Sequence, residues 1–212
     1  MRESRGYMAA TQQEKGEDNM KKIPTIFKRG DDFKVINEIT PGCEWVFNGE
    51  GVATEKLDGT NVQITIKDGS AIKLEKRRNP TKEEKARGEV DGSYVLVTDD
   101  PGDKYIRDAI NNTDFATWPD GEHSAEAIGP KIQGNPLKLE RHILVRHADA
   151  PIYSGVQSHM LGAIDKFDYL KNMIRVSSLY SQTAWIEGFV FRHPDGRMAK
   201  IKVKDFRYRD KS

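Results

Sequence analysis

At 212 residues the chain is long enough to bury one real core and too short for two full domains. Charged residues make up 32% of it and the mean hydropathy is −0.71, and no apolar run approaches the roughly 18 residues of a membrane helix. A net charge of only +1 excludes recognition by bulk positive charge, so any nucleic acid has to be held in a local basic groove.

Residues 1–19 are nearly all polar or small and carry no helical or strand period, which predicts a disordered extension before a domain at 20–212. Met20-Lys21-Lys22-Ile23-Pro24 reads like a natural start, and the first twenty residues are too polar for a signal peptide. Short strands are predicted at 33–36 and 44–47, divided by Thr40-Pro41-Gly42. Cys43, the single cysteine, permits neither an internal disulfide nor a cysteine-based zinc site and fits a reducing, cytoplasmic compartment. Residues 62–67 alternate apolar and polar, the period of a half-buried strand. Asp68-Gly69 is a hairpin turn signal, and 71–76 is its return strand, bringing Lys76, Arg77 and Arg78. The charge run 82–87 reads as a solvated helix or loop.

Further strands are predicted at 94–98, 124–128 and 142–147, with a short helix at 103–111. Leu161, Ile164, Phe167, Leu170 and Ile174 recur every three or four residues, the apolar face of one amphipathic helix. A last hairpin pairs 185–192 with 198–204 around the turn His193-Pro194-Asp195-Gly196-Arg197. Trp185 and Ile186 are expected in its core. Strand-rich segments broken by two helices give an α+β domain with antiparallel sheets.

Chemistry concentrates in Thr54-Glu55-Lys56-Leu57-Asp58-Gly59-Thr60-Asn61, where a lysine, an aspartate and a glycine stand at K-x-D-G spacing before the strand at 62. Alone, that is a hairpin bend. It is followed in order by Glu126-Ala127-Ile128-Gly129, by Glu187-Gly188-Phe189-Val190-Phe191-Arg192 and by Lys200-Ile201-Lys202. A lysine is a nucleophile only when neutral, and its ordinary pKa is about 10.4. Lys200 and Lys202 alternate with Ile201, so their amines share one side; set near Lys56 they would disfavour its charged form. By itself Lys200-Ile201-Lys202-Val203-Lys204 reads as an exposed edge strand with protective lysines. A carboxylate at 187 beside a glycine leaves room for a phosphate and a hard divalent cation. The five histidines are too scattered for a metal cluster.

This series resembles the covalent nucleotidyltransferases, the ATP-dependent polynucleotide ligases and mRNA capping enzymes, over about residues 50–205. Residues 55–61 look most like the RNA ligases, and 126–136 are similar to a segment of a short RNA ligase family that includes the vertebrate 5′-to-3′ RNA ligase. The resemblance implies an ATP-grasp-like core of two packed antiparallel sheets with flanking helices and no OB domain, since only ten residues follow Lys202. It implies a reaction in which Lys56 takes AMP from ATP, passes it to an RNA 5′-phosphate and lets a 3′-hydroxyl displace it. Mg²⁺ or Mn²⁺ on Glu187 would assist.

By resemblance Glu55 helps read adenine, Asn61 and Glu126 meet the ribose, and Arg77 or Arg78 contacts the adenylate or the RNA 5′-phosphate. Lys200 and Lys202 neutralise the α-phosphate, and Asp58 orients the turn. His142, His147, Tyr153 and Phe167 are candidates to stack on adenine. Lys28, Arg29, Arg207 and Arg209 are candidates to orient the β- and γ-phosphates. The implied partner is RNA with 5′-phosphate and 3′-hydroxyl ends, in repair or sealing, with no membrane and no specified protein partner. A minimal DNA ligase and a nucleotide- or RNA-binding module without turnover are the alternatives.

Overall fold

The computed structural model describes residues 22–208 except Val90 and Gln182; the expected extension at 1–19 and Arg209 lie outside the described residues. Its strands and helices are β1 (Phe27–Arg29), β2 (Val35–Ile39), α1 (Glu44–Phe47), β3 (Val52–Lys56), β4 (Thr60–Lys67), β5 (Ser70–Arg78), α2 (Lys82–Ala86), β6 (Ser93–Leu96), α3 (Lys104–Asn111), β7 (Gly121–Ile128), β8 (Ile143–Arg146), α4 (Gly155–Gly162), α5 (Lys166–Met173), β9 (Gly188–Arg192) and β10 (Met198–Lys202). Two antiparallel sheets dominate, one of three strands ordered β10-β9-β3 and one of five ordered β6-β5-β4-β7-β8. A small β1-β2 sheet accompanies them. The α+β class with antiparallel sheets is what the alternating segments called for.

Each large sheet has its own core because its apolar residues fall on one face. In the three-stranded sheet Ala53, Phe191 and Ala199 are in register, as are Phe189 and Ile201, and all are buried with Trp45, Met160, Leu170 and Phe206. In the five-stranded sheet Val62, Ile64, Ile66, Ala125 and Ala127 pack on Ile106, Ala109, Phe115 and Trp118. Leu57, on the short link from β3 to β4, is buried with Ile128, Leu137, Val145 and Ala184 between them. The chain therefore passes from one sheet to the other directly after Lys56.

The hairpin at Asp68-Gly69 forms with both residues at positive φ, 50° and 71°, the conformation that favours a D-G pair. Several expectations need correction. Residues 44–47 make a helical turn, because Trp45, Val46 and Phe47 are all buried and consecutive burial suits a turn enclosed by core better than a two-faced strand. The strand expected at 33–36 begins at Val35; Phe33 sits at φ 62°, 79% exposed, in the turn from β1 to β2. The single helix expected over 161–174 is two, because Asp165 caps α5 by accepting from the Asp168 N–H. That break turns Leu161 and Ile164 outward while Leu170 and Ile174 stay buried. Trp185, expected in the core, is 61% exposed, whereas Ile186 is buried. Among the described residues no helix is long and apolar enough to cross a membrane.

Candidate active site

β9 is the centre of the three-stranded sheet, and its first residue, Gly188, is the cross-strand partner of Lys56 on β3 and of Lys202 on β10. Partners in register share a face, so both lysines project on the side away from the core, flanking a residue with no side chain. A Cβ on Gly188 would lie 2.0 Å from the Ile201 carbonyl oxygen and 2.7 Å from the Lys202 Cα. Glycine is thus required by the packing of β9 on β10.

Glu187, one residue earlier, joins the two amines. Lys56 Nζ donates to Glu187 Oε2 at 2.6 Å and to the Leu57 carbonyl at 3.2 Å, and Lys202 Nζ pairs with Glu187 Oε1 at 2.5 Å. Burial alone would push the Glu187 carboxyl up, but Lys56 and Lys202 override it and hold the group below the usual carboxylate range. Asp58 stands close by. Its carboxyl is raised by burial and then by repulsion from Glu187, against the attraction of Lys56, Lys202 and Lys204. Lys200 shares the sheet face with Lys202, two residues away on β10. Its amine is brought down to about 8 by burial and then by repulsion from Lys202, Lys56 and Lys22. The sequence placed cations around Lys56; the structure adds a carboxylate in direct contact with it.

The second half of the site lies on β4, β5, β6 and β7. Asn61 is directly opposite Glu126, on the face away from Val62 and Ile64. Glu126 Oε1 accepts from the Gly59 N–H at 3.0 Å, and Oε2 lies 3.0 Å from His147 Nε2. His147 Nδ1 is 2.8 Å from Ser124 Oγ. All three contacts are satisfied together when the imidazole donates from Nε2 and the serine hydroxyl donates to Nδ1. A Cβ on Gly59 would meet the Ala127 carbonyl oxygen at 2.2 Å and Glu126 Cγ at 2.8 Å, so the glycine of K-x-D-G lets the lysine turn rest on the Glu126 strand. The Tyr94 hydroxyl donates to Asn61 Oδ1 at 2.5 Å.

The two arginines part here. On a strand they face opposite ways, and Arg78 is committed to α2, donating to both Glu84 oxygens at 2.7 and 2.8 Å. Arg77 is opposite Tyr94, and its buried Nε has no hydrogen-bond partner among the described residues. Arg77 therefore joins Asn61 and Glu126, and Arg78 does not.

Glu55 is also set apart from the residues it was grouped with. It is in register with Phe189 on the core face, 2% exposed. It accepts from the Tyr153 hydroxyl at 3.1 Å, the Ser178 hydroxyl at 2.5 Å and the Leu179 N–H at 3.1 Å. Among the proposed stacking residues, His142 lies on Tyr105 with ring centroids 5.0 Å apart, and Phe167 is in the core against Phe27 and Phe206. His147 stands with Glu126, and Tyr153 with Glu55. Tyr94, Ser124 and Ser178 were not singled out in the sequence. Tyr94 and Ser124 gave a signal there only as the first residues of predicted strands, and Ser178 gave none.

Among the described residues no group of three or more His, Cys, Asp or Glu could hold a metal ion. Asp58 and Glu187 nonetheless line one depression of about 650 Å³, a pair of hard oxygen donors that fits a cation completed by phosphate oxygens and water.

No family model matches the sequence, and no curated relative does. In fold the chain is similar to RNA ligase structures from Naegleria gruberi, over only part of their length. These include a mutant with ATP and Mn, at TM-score 0.45 and 16% identity over 88% of this chain and 61% of that one. A mutant with AMP and Mn gives 0.44 and 15% over 85% and 57%, and the ligase with PPi gives 0.42 and 16% over 76% and 52%. The chain spans less than two thirds of the length of each.

Proposed function

We propose that the chain is an ATP-dependent RNA ligase that works through a lysyl-AMP intermediate on Lys56. The observation that carries this reading is the Lys56–Glu187–Lys202 cluster around Gly188, a part-buried lysine held in place beside further lysines on a surface with room for a phosphate. A purely structural ion pair needs one partner; here a single carboxylate holds two amines, and a third, Lys200, lies on the same face.

In this reading the Lys56 amine attacks the α-phosphorus of ATP. An N–P bond forms, the bond to the pyrophosphate oxygen breaks in line, and the amine's protons go to solvent. Glu187, held below the usual carboxylate range, is a weak base; its task is to aim the amine. Lys202 holds the other oxygen of the same carboxylate, so a shift of Glu187 toward Lys202 frees Lys56 for attack. Lys200 and Lys202 then face the negative charge that builds on the phosphate. Asn61 and Glu126 are placed to meet the ribose, and Arg77 a phosphate. Glu187 with Asp58 would hold Mg²⁺ or Mn²⁺, which supplies charge neutralisation at the phosphates. AMP would next pass to a 5′-phosphate on RNA, giving a pyrophosphate-linked end, and a 3′-hydroxyl would displace it.

Incubation with α-labelled ATP and Mg²⁺ or Mn²⁺, followed by denaturing electrophoresis, tests the first step. Wild type is expected to carry label and Lys56→Ala none. A wild type that binds ATP yet never becomes labelled between pH 7 and 9 would overturn the proposal in favour of a binding module. Sealing of matched RNA and DNA nicks separates the RNA ligase from a minimal DNA ligase.

A further inference from the structure

Beside the Lys56 cluster, across β10, lies a cavity of about 490 Å³ lined by Lys22, Pro24, Arg29, Lys200, Lys202 and Lys204, with Asp205 as its carboxylate. Its wall is built by residues 24–26, which run beside β10: the Lys200 N–H donates to the Pro24 carbonyl at 2.9 Å and the Ile26 N–H to the Lys200 carbonyl at 3.0 Å. Asp205 is already occupied, accepting from Arg29 at 2.8 Å and from the Lys202 N–H at 2.9 Å. The amines of Lys22, Lys200 and Lys204 have no carboxylate partner among the described residues. Three like charges gathered around one cavity repel one another, a cost that a bound anion of high charge density offsets.

We propose that this cavity is a polyphosphate seat, which takes the β- and γ-phosphates of the nucleotide while the α-phosphate lies at Lys56. The inference rests on the ligase reading and adds to it the group that orients the leaving pyrophosphate. Position supports it. The backbones of Lys56 and Lys202 are two strands apart, roughly 10 Å, but their amines converge on the one Glu187 carboxylate, so a triphosphate with its α-phosphate at Lys56 reaches Lys202 and Lys200 at the cavity rim. Of the basic residues suggested by sequence for this task, Lys28 is paired with Glu38 and Arg207 with Asp32, while Arg29 lines this cavity, paired there with Asp205. The depressed Lys200 amine fits as well, since a bound polyphosphate would draw a proton back onto it near pH 8.

The test is calorimetric titration of the full chain with inorganic tripolyphosphate, AMP and a 5′-phosphorylated RNA oligonucleotide, without metal. Lys22→Gln and Lys204→Gln, singly and together, are compared with Lys28→Ala; all three positions are exposed, and circular dichroism checks folding. The double variant is expected to lose tripolyphosphate affinity by about tenfold or more, the size of a charge-assisted contact, and to keep AMP affinity; Lys28→Ala is expected to keep both. At pH 8 tripolyphosphate binding is expected to take up protons, read from buffers of different ionisation enthalpy, and Lys200→Met to abolish that uptake. Unchanged tripolyphosphate affinity in the folded double variant would overturn the proposal, as would loss confined to the RNA oligonucleotide. If ATP labels Lys56 but tripolyphosphate ignores these lysines, the seat is wrong and the ligase stands. If tripolyphosphate needs them and no label forms, the ligase reading is wrong and an oligophosphate site stands.

Discussion

Glu55 and Lys56 are adjacent in sequence and belong to different parts of the molecule. Strand alternation sends Lys56 to the open face and Glu55 into the core side, where three donors satisfy its carboxylate. Leaving those donors without an acceptor would cost about 1–3 kcal/mol, so Glu55 serves the packing of 177–179 against β3. Asp58 and Glu187 are the opposite case, two carboxylates close enough to repel with different outcomes. Glu187 has the amines, and its stabilising contribution is present above the ordinary carboxylate pKa and lost as pH falls through its lowered one. Asp58 is raised, so as pH rises the unfolded chain releases this proton first, and its contribution, present below the ordinary carboxylate pKa, is lost as pH rises through the raised value. Asp58→Asn is therefore expected to raise the thermal midpoint at pH 7 while leaving it nearly unchanged near pH 3. Equal midpoint changes at both pH values, in thermal melts, would contradict the assignment.

At the level of elements, two glycines do what no side chain could. Gly59 lets the turn after β3 contact β7, and Gly188 lets β9 lie against β10 with a lysine on either side. Gly188→Ala places a methyl against backbone, where relief requires separating two strands. It is expected to destabilise the fold by about 2 kcal/mol and to weaken labelling of Lys56 even in the folded fraction, because Lys202 moves with β10. A melt showing no loss of stability would refute the close approach. The same scale shows why some elements were legible and others not. The period of β4 and the D-G turn are local, so they could be read directly. The break between α4 and α5 was hidden, because Leu161 and Ile164 kept the helical period while Asp165 ended it by capping. Trp45, Val46 and Phe47 read as a short strand, and only surrounding core on all sides selected the turn.

On the scale of the whole molecule, the proposed site lies where the chain crosses from one sheet to the other. The three-stranded sheet contributes Lys56, Glu187, Lys200 and Lys202, and the five-stranded sheet contributes Asn61, Arg77 and Glu126. A net charge of +1 leaves no general attraction for RNA, so binding should draw on the local lysines alone. With three to five phosphate contacts, affinity for single-stranded RNA is expected to fall by about ten- to a hundredfold between 50 and 200 mM salt. A salt-independent affinity in fluorescence anisotropy would show that recognition does not run through this basic face.

The sequence by itself determined the α+β class, most of the strands and the order of the charged motifs, because alternation and turn chemistry are written in neighbouring residues. It also singled out Lys56, Glu126, Glu187, Lys200 and Lys202, through the order and spacing of the short motifs that hold them. Tertiary structure alone decided which arginine joins Asn61, that Glu55 faces the core, that one carboxylate bridges Lys56 and Lys202, and that Lys22 and Lys204 complete a basic cavity. The arginine was decided by strand register within β4–β6, and the others by contacts between residues more than a hundred positions apart, neither of which leaves a local trace.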